Sequence, residues 1–161
     1  MTAPDFQRLI GLLSAADVEF VVVGGVAAAM HGAAYATFDL DVVYGRSPEN
    51  LARIAHALAP IGPYLRGAPP DLPFRLDPET LRRGLNFTLT TTAGDLDLLG
   101  EVAGGGTYER LLTDCDSATI GGYQVRYVSL KQLIALKRAA GRPKDLDKLA
   151  ALEALLEERE R

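Results

Sequence analysis

The sequence predicts an α/β (α+β) fold, a small mixed β-sheet with helices packed on it and a pair of helices at the C-terminal end. Three observations carry this expectation. The apparent element order is α-β-α-β-α, then several strands, then two helices, the pattern of a layered mixed sheet. The run Glu19-Phe20-Val21-Val22-Val23 is short, β-branched and almost unbroken in its apolar character, as a strand covered on both faces requires. The chain has 161 residues, 48% apolar and 24% charged, which suits one domain spanning 1–161. A chain of that length buries roughly 70% of its unfolded surface and needs no covalent staple.

The elements follow in order. Phe6, Leu9, Ile10 and Leu13 recur at helical spacing and predict an amphipathic helix over about 3–16. Residues 19–23 form the buried strand, ended by Gly24-Gly25. Val26 to His31 is Ala-rich and suits a short helix closed by Gly32. Residues 37–44 (TFDLDVVY) alternate as a second strand, with Asp39 and Asp41 on one face and Leu40 and Val42 on the other. Pro48 and Glu49 open a helix through about Leu58. Residues 59–78 hold six of the nine prolines and read as a loop or insertion with a mobile part. Residues 85–92 and 95–99 read as strands joined by a hairpin at Ala93-Gly94. A second hairpin is marked by Gly121-Gly122, between 118–120 and 124–128. The C-terminal part, 129–161, is helical. Ser129 and Gln132 make a capping box for a helix over about 130–140. Gly141 and Pro143 then separate it from a last helix over about 144–158.

Composition excludes several classes. Seventeen Lys and Arg against 21 Asp and Glu give a net charge of −4, unlike a general nucleic-acid coat or a membrane-surface binder. The single cysteine, Cys115, forbids an intrachain disulfide and a Cys-rich zinc site, and fits a reduced, cytoplasmic setting. The N-terminal stretch has no basic n-region, and no apolar run is long enough for a bilayer, so no signal peptide and no membrane partner are expected.

Four features can carry chemistry. Gly24-Gly25, between a buried strand and a helix, lets the backbone approach a ligand such as a phosphate closely. The same pair also serves as a simple strand-to-helix turn, and the spacing matches neither GxGxxG nor GxxxxGK[ST]. Asp39-Leu40-Asp41 places two carboxylates on one strand face, suited either to a metal ion or to a solvent-facing side. Asp95-Leu96-Asp97 repeats the pattern on a later strand. Asp95 has a turn role open to it after Gly94, whereas Asp97 lies inside the strand. Carboxylates converging from adjacent strands make a site for one or two Mg²⁺ ions that clamp the oxygens of a phosphoryl displacement. Finally, 129–148 holds Lys131, Lys137, Arg138, Arg142, Lys144 and Lys148 against only Asp145 and Asp147. These cations suit phosphates, and near a helix C-terminus they also complement the helix dipole.

The ordered set Val23-Gly24-Gly25, thirteen residues, Asp39-Leu40-Asp41 and a later strand Asp resembles the nucleotidyltransferase superfamily with a DNA polymerase beta-like core. The stretches GGVAAAMHGAAYATFDLDVVY and SLKQLIALKRAAGRPKDLDKL look like its small bacterial branch, which includes abortive-infection and type IV toxin–antitoxin nucleotidyltransferases. The resemblance covers about Glu19 to Leu152.

It implies that Gly24 and Gly25 hold the triphosphate of an NTP, with Lys137, Arg142 and Lys144 nearby. It implies that Asp39 and Asp41 bind Mg²⁺ (one or two ions, or Mn²⁺). Asp97 is then the third carboxylate, on the metal or as base toward the attacking hydroxyl of a protein or RNA acceptor. A cognate toxin or antitoxin partner is implied as well. Two positions depart from the pattern. Gly25 stands where many members have Ser, and Tyr35 where branch members often have Arg.

Two other readings use the same residues. One is a non-catalytic nucleotide- or partner-binding module, antitoxin-like, motivated by Tyr35. The other is a metal-dependent phosphohydrolase. His31, His56, Tyr108 and Phe87 read as packing or surface residues. Cys115, flanked by Asp114 and Asp116, reads as an unreactive thiol.

Overall fold

The computed structural model describes residues 4–34, 36–143 and 146–161. Helix α1 (Phe6–Ala15) starts where the Asp5 side chain accepts from Arg8 N at 3.0 Å, and it buries Leu9, Ile10 and Leu13. β1 (Phe20–Val23) follows with all four side chains buried. The chain turns directly into α2 (Gly24–Met30), then β2 (Asp39–Tyr44) and α3 (Pro48–Leu58). α3 has Pro at its start and a Ser47 cap. Next come the short β3 (Tyr64–Leu65), α4 (Pro78–Arg83), β4 (Asn86–Thr91), β5 (Gly94–Leu99) and the single-turn α5 (Tyr108–Leu111). The hairpin β6 (Cys115–Ile120) and β7 (Tyr123–Val128) leads to α6 (Leu130–Ala140) and α7 (Leu146–Glu160).

All strands join one seven-stranded sheet in the order β3-β4-β5-β2-β1-β7-β6. The sheet is mixed, as expected. β1 runs antiparallel to β2 and parallel to β7, and β2 runs parallel to β5. β1 and β2 are therefore central, which is why their sequences carry the longest apolar runs. Leu40, Val42, Leu89, Leu96 and Leu98 are fully buried in one core with the apolar stripes of α1 and α3. Gly121 and Gly122 take φ of 58° and 86° in the β6–β7 turn, a left-handed pair that glycine adopts without cost.

The segment 59–78 is more structured than its prolines suggest. It contains a 3₁₀ turn (Ala59–Ile61) and β3, which adds to the sheet edge against β4. A two-residue strand is too short to leave a period-2 pattern, and a sheet edge tolerates neighbouring prolines. α4 lies outside the expected elements, although its signal is present. Asp77 caps it, accepting from Thr80 N at 2.8 Å, and Pro78 occupies the first turn. The β4–β5 turn comprises Thr92 and Ala93 rather than Ala93 and Gly94, because Gly94 pairs with Thr91.

Candidate functional site

The site is built by sheet register. β2 and β5 pair in parallel so that Asp39 lies beside Asp95 and Asp41 beside Asp97. Alternation then puts all four carboxylates on one face while Leu40, Val42, Leu96 and Leu98 enter the core. A one-residue slip would drive the acids inward, so the register is strongly fixed. Asp39, Asp41 and Asp97 each offer an oxygen within 4.8 Å of the others. Asp95 lies outside this triad.

The electrostatics are those of crowded carboxylates that the neighbouring Arg66 compensates only in part. The Asp41 carboxyl is pushed up to about 8, first by burial and then by the charges of Asp39 and Asp97. Asp97 is also raised, chiefly by burial, against the opposing influence of Arg66. Asp41 Oδ1 is buried and has no hydrogen-bond partner among the described residues. An orphaned carboxylate oxygen facing two further carboxylates fits a hard divalent cation, which takes oxygen ligands of this kind. The residues therefore suit Mg²⁺ or Mn²⁺.

Gly24 closes over this cluster. It has φ of 67°, and a Cβ there would lie 2.1 Å from Asp41 Oδ2. Position 24 thus needs glycine twice, for its backbone and for the carboxylate beneath it. Gly25 is equally confined, since a Cβ there would lie 2.5 Å from Thr37 Oγ1. The space that a serine side chain at position 25 would enter is filled by Thr37, whose hydroxyl is held 3.2 Å from Asp39 O.

A cleft of about 390 Å³ opens over the acids. Gly25, Thr37, Asp39, Asp41 and Asp97 line it together with Lys137, Arg142 and Lys148. A second, more apolar cleft of about 290 Å³ shares Asp41, Lys137 and Arg142 with it, and is also lined by Gly24, Leu99 and Leu136. The expected residues Asp39, Asp41, Asp97, Gly24, Gly25, Lys137 and Arg142 are thus brought together. Lys144 and Tyr35 lie outside the described residues.

The basic stretch divides. Lys131 and Arg138 face the groove between α6 and α7, where Arg138 binds Glu153 at 2.6 Å. Lys148 joins the cleft, a placement that sequence spacing alone does not single out. Sequence patterning misses Thr37 and Arg66. Arg66 reaches Asp97 at 2.8 Å from the proline-rich segment, and nothing local in the sequence marks a contact 31 residues away.

The residues given bland readings keep them. His31 is 5% exposed, its Nε2 lies 2.8 Å from Val128 O and its Nδ1 lies 3.0 Å from Arg159, so it ties α2 to the sheet and to α7. Tyr108 and Phe87 are core residues and His56 is exposed. The Cys115 thiol is raised, first by burial and then by Asp116 and Asp114, against the lowering influence of Arg126.

Comparison with known proteins adds two findings. The family described as "Nucleotidyl transferase of unknown function (DUF2204)" matches residues 88–161, from β4 to the C-terminal end. A provisionally assigned nucleotidyltransferase from Thermotoga maritima, known from its crystal structure, superposes with a TM-score of 0.53 at 15% identity. The match covers 98% of this chain and 96% of that one. The fold is a nucleotidyltransferase fold. No curated protein matches the chain in sequence.

Both findings support the superfamily resemblance carried by Val23-Gly24-Gly25 and Asp39-Leu40-Asp41. The matched family segment contains Asp97, Lys137, Arg142 and Lys148, while the superposition, covering 98% of the chain, takes in the β1–β2 region as well. Among the described residues, no helix is long and apolar enough to cross a membrane.

Proposed function

We propose that this chain is a Mg²⁺-dependent nucleotidyltransferase that moves a nucleotide from an NTP to a hydroxyl of a protein or RNA acceptor. The observation carrying this reading is the β2–β5 register, which gathers Asp39, Asp41 and Asp97 within 4.8 Å, beside a cleft walled by cations. Asp39 and Asp41 would hold the metal ion, and Asp97 would be the third carboxylate. A bound Mg²⁺ or Mn²⁺ supplies Lewis acidity toward the α-phosphate and the leaving oxygen.

The chain's own residues do the rest. Lys137 and Arg142 bind the triphosphate through charge-assisted contacts, together with Lys148 and, as the sequence suggests, Lys144. Gly24 and Gly25 let the backbone at the start of α2 lie directly against Asp41 and Thr37, where phosphates can meet it. The acceptor oxygen forms a bond to the α-phosphorus, the bond to the β-phosphate oxygen breaks, and pyrophosphate leaves. Asp97 takes the acceptor proton. Membership of a toxin–antitoxin or phage-defence pair, and a cytoplasmic location, rest on the sequence resemblance and on composition.

Incubation with labelled NTPs, Mg²⁺ and cell extract tests the reading. Label should appear in a macromolecule and vanish with Asp39→Asn or Asp41→Asn, by at least about 100-fold, a larger loss than removal of an outer-sphere partner gives. Release of nucleoside monophosphate without transfer would instead identify a phosphohydrolase.

A further inference from the structure

One oxygen of the Asp97 carboxylate already has a cationic partner. Arg66 follows β3 on the sheet edge, where its backbone N donates to Thr88 O at 3.0 Å. Thr88 pairs with Asp97 in the next strand and Asp97 with Asp41, so the sheet sets Arg66, Thr88, Asp97 and Asp41 in one row. The guanidinium spans that row. One terminal nitrogen donates to Asp97 Oδ1 at 2.8 Å and to Leu89 O at 2.7 Å, and Nε lies 3.2 Å from Asp95 Oδ2. This Nε contact is an ion pair without hydrogen-bond alignment, since Nε is buried with no hydrogen-bonded partner among the described residues. Asp95, the acid outside the triad, thereby acquires a role as the second anchor of Arg66.

We propose that Arg66 is a positioning residue that competes with the divalent ion for Asp97, acting as an internal counter-cation which the incoming ion must displace. The inference rests on the metal-dependent reading above. Its physical basis is direct. A unit positive charge bonded to one ligand oxygen occupies a lone pair the ion would use and repels the ion through a partly buried site. The Asp95 contact retains the guanidinium near the site when Asp97 is released. Metal binding is thereby weakened in the absence of nucleotide, whose own phosphate oxygens supply further ligands. The consequence is coupling, because ion and nucleotide each bind more tightly in the presence of the other.

Titration of the full chain with Mn²⁺ alone, followed by electron paramagnetic resonance and calorimetry, decides the matter without any assay of transfer. Arg66→Gln should bind Mn²⁺ about tenfold more tightly than wild type, and Arg66→Ala likewise. Arg66→Lys, which keeps the charge but loses the fork, should fall between. Asp95→Asn should bind more weakly by several-fold, since it releases Arg66 fully to Asp97 and removes one negative charge. Damage to the fold would loosen the site, so tightening is a signature that a merely structural role does not produce.

Wild-type binding that Arg66→Gln leaves unchanged or weakens would overturn the competition while leaving the metal-dependent reading intact. Absence of Mn²⁺ binding in wild type and in every variant would overturn that underlying reading and this inference with it. Binding gained only in Arg66→Gln or Arg66→Ala would support the competition in its strongest form.

Discussion

Asp39, Asp41 and Asp97 sit on short side chains whose backbone positions are fixed by the β2–β5 ladder, whereas Lys137, Arg142 and Lys148 reach the same cleft on long side chains from the end of α6 and beyond. The acidic wall is rigid and preorganised, and it is electrostatically costly without a cation. The basic wall is carried by long side chains with several rotatable bonds rather than by the sheet ladder. The difference teaches which substitutions act through the fold and which through the ligand. Changes on the acidic side should register strongly in stability as well as binding, and changes on the basic side chiefly in binding.

The largest break is expected at Gly24→Ala. The added Cβ would lie 2.1 Å from Asp41 Oδ2, against a side chain fixed by the sheet, and φ of 67° adds about 1–2 kcal/mol for a non-glycine residue. A fall in melting temperature of about 5 °C or more is expected, at about 2–4 °C per kcal/mol for a chain of this size. Calorimetric melting of the metal-free protein checks it, and a shift below about 2 °C would mean that the acidic wall yields.

The second expectation uses pH. The Asp41 carboxyl stands at about 8 in the folded protein against 3.8 for the free side chain. The folded state therefore holds a proton that the unfolded chain releases between about pH 4 and 8. Stability from this group falls as pH rises through that window. Metal-free wild type should lose several degrees of melting temperature from pH 5 to pH 8, and saturating Mg²⁺ should restore most of the loss at pH 8. Asp41→Asn should flatten the profile and melt higher than wild type at pH 8. A metal-free profile that rises over that range would show Asp41 already ionised and compensated.

These two positions also show how much the sequence discloses. The strand alternation of Asp39-Leu40-Asp41 and Asp95-Leu96-Asp97 is readable because period-2 patterning reports directly on which face is buried. That Asp41 and Asp97 are neighbours requires only that the two strands pair in register, and the Leu residues between the acids enforce it. Ser129, Pro48 and Gly121-Gly122 mark their elements because caps and turns use local chemistry. Arg66 is hidden because its partner is 31 residues away and the strand it follows has two residues. Thr37 is hidden for another reason. Its side chain fills the space that glycine leaves at position 25, and such complementarity emerges only once the two backbones are placed.

The basic wall should answer differently. Lys137→Ala should weaken nucleotide binding about tenfold, measured with a non-hydrolysable NTP analogue, because one charge-assisted phosphate contact is lost. The melting temperature should fall by less than it does in Gly24→Ala. A fall in stability comparable with that of Gly24→Ala would place Lys137 in the scaffold rather than the site.

The smallest effect is expected one residue further along the same helix, and it sharpens the contrast most. Arg138 donates to Glu153 at 2.6 Å across the α6–α7 groove, with side chains 61% and 41% exposed, away from the cleft. An exposed pair of this kind contributes about 0.2–1 kcal/mol, reduced further by salt. Arg138→Ala should therefore lower the melting temperature by about 1–3 °C and leave nucleotide affinity unchanged. Glu153→Ala should do the same, and the double variant should lose less than the sum of the two, because each single change already removes the shared contact. Adjacent cations on α6 would then separate by face, Lys137 acting on the ligand and Arg138 on the packing of α7. If Arg138→Ala instead weakened nucleotide binding as Lys137→Ala does, the whole end of α6 would act as one diffuse positive field, and the division of the basic stretch into two faces would fail.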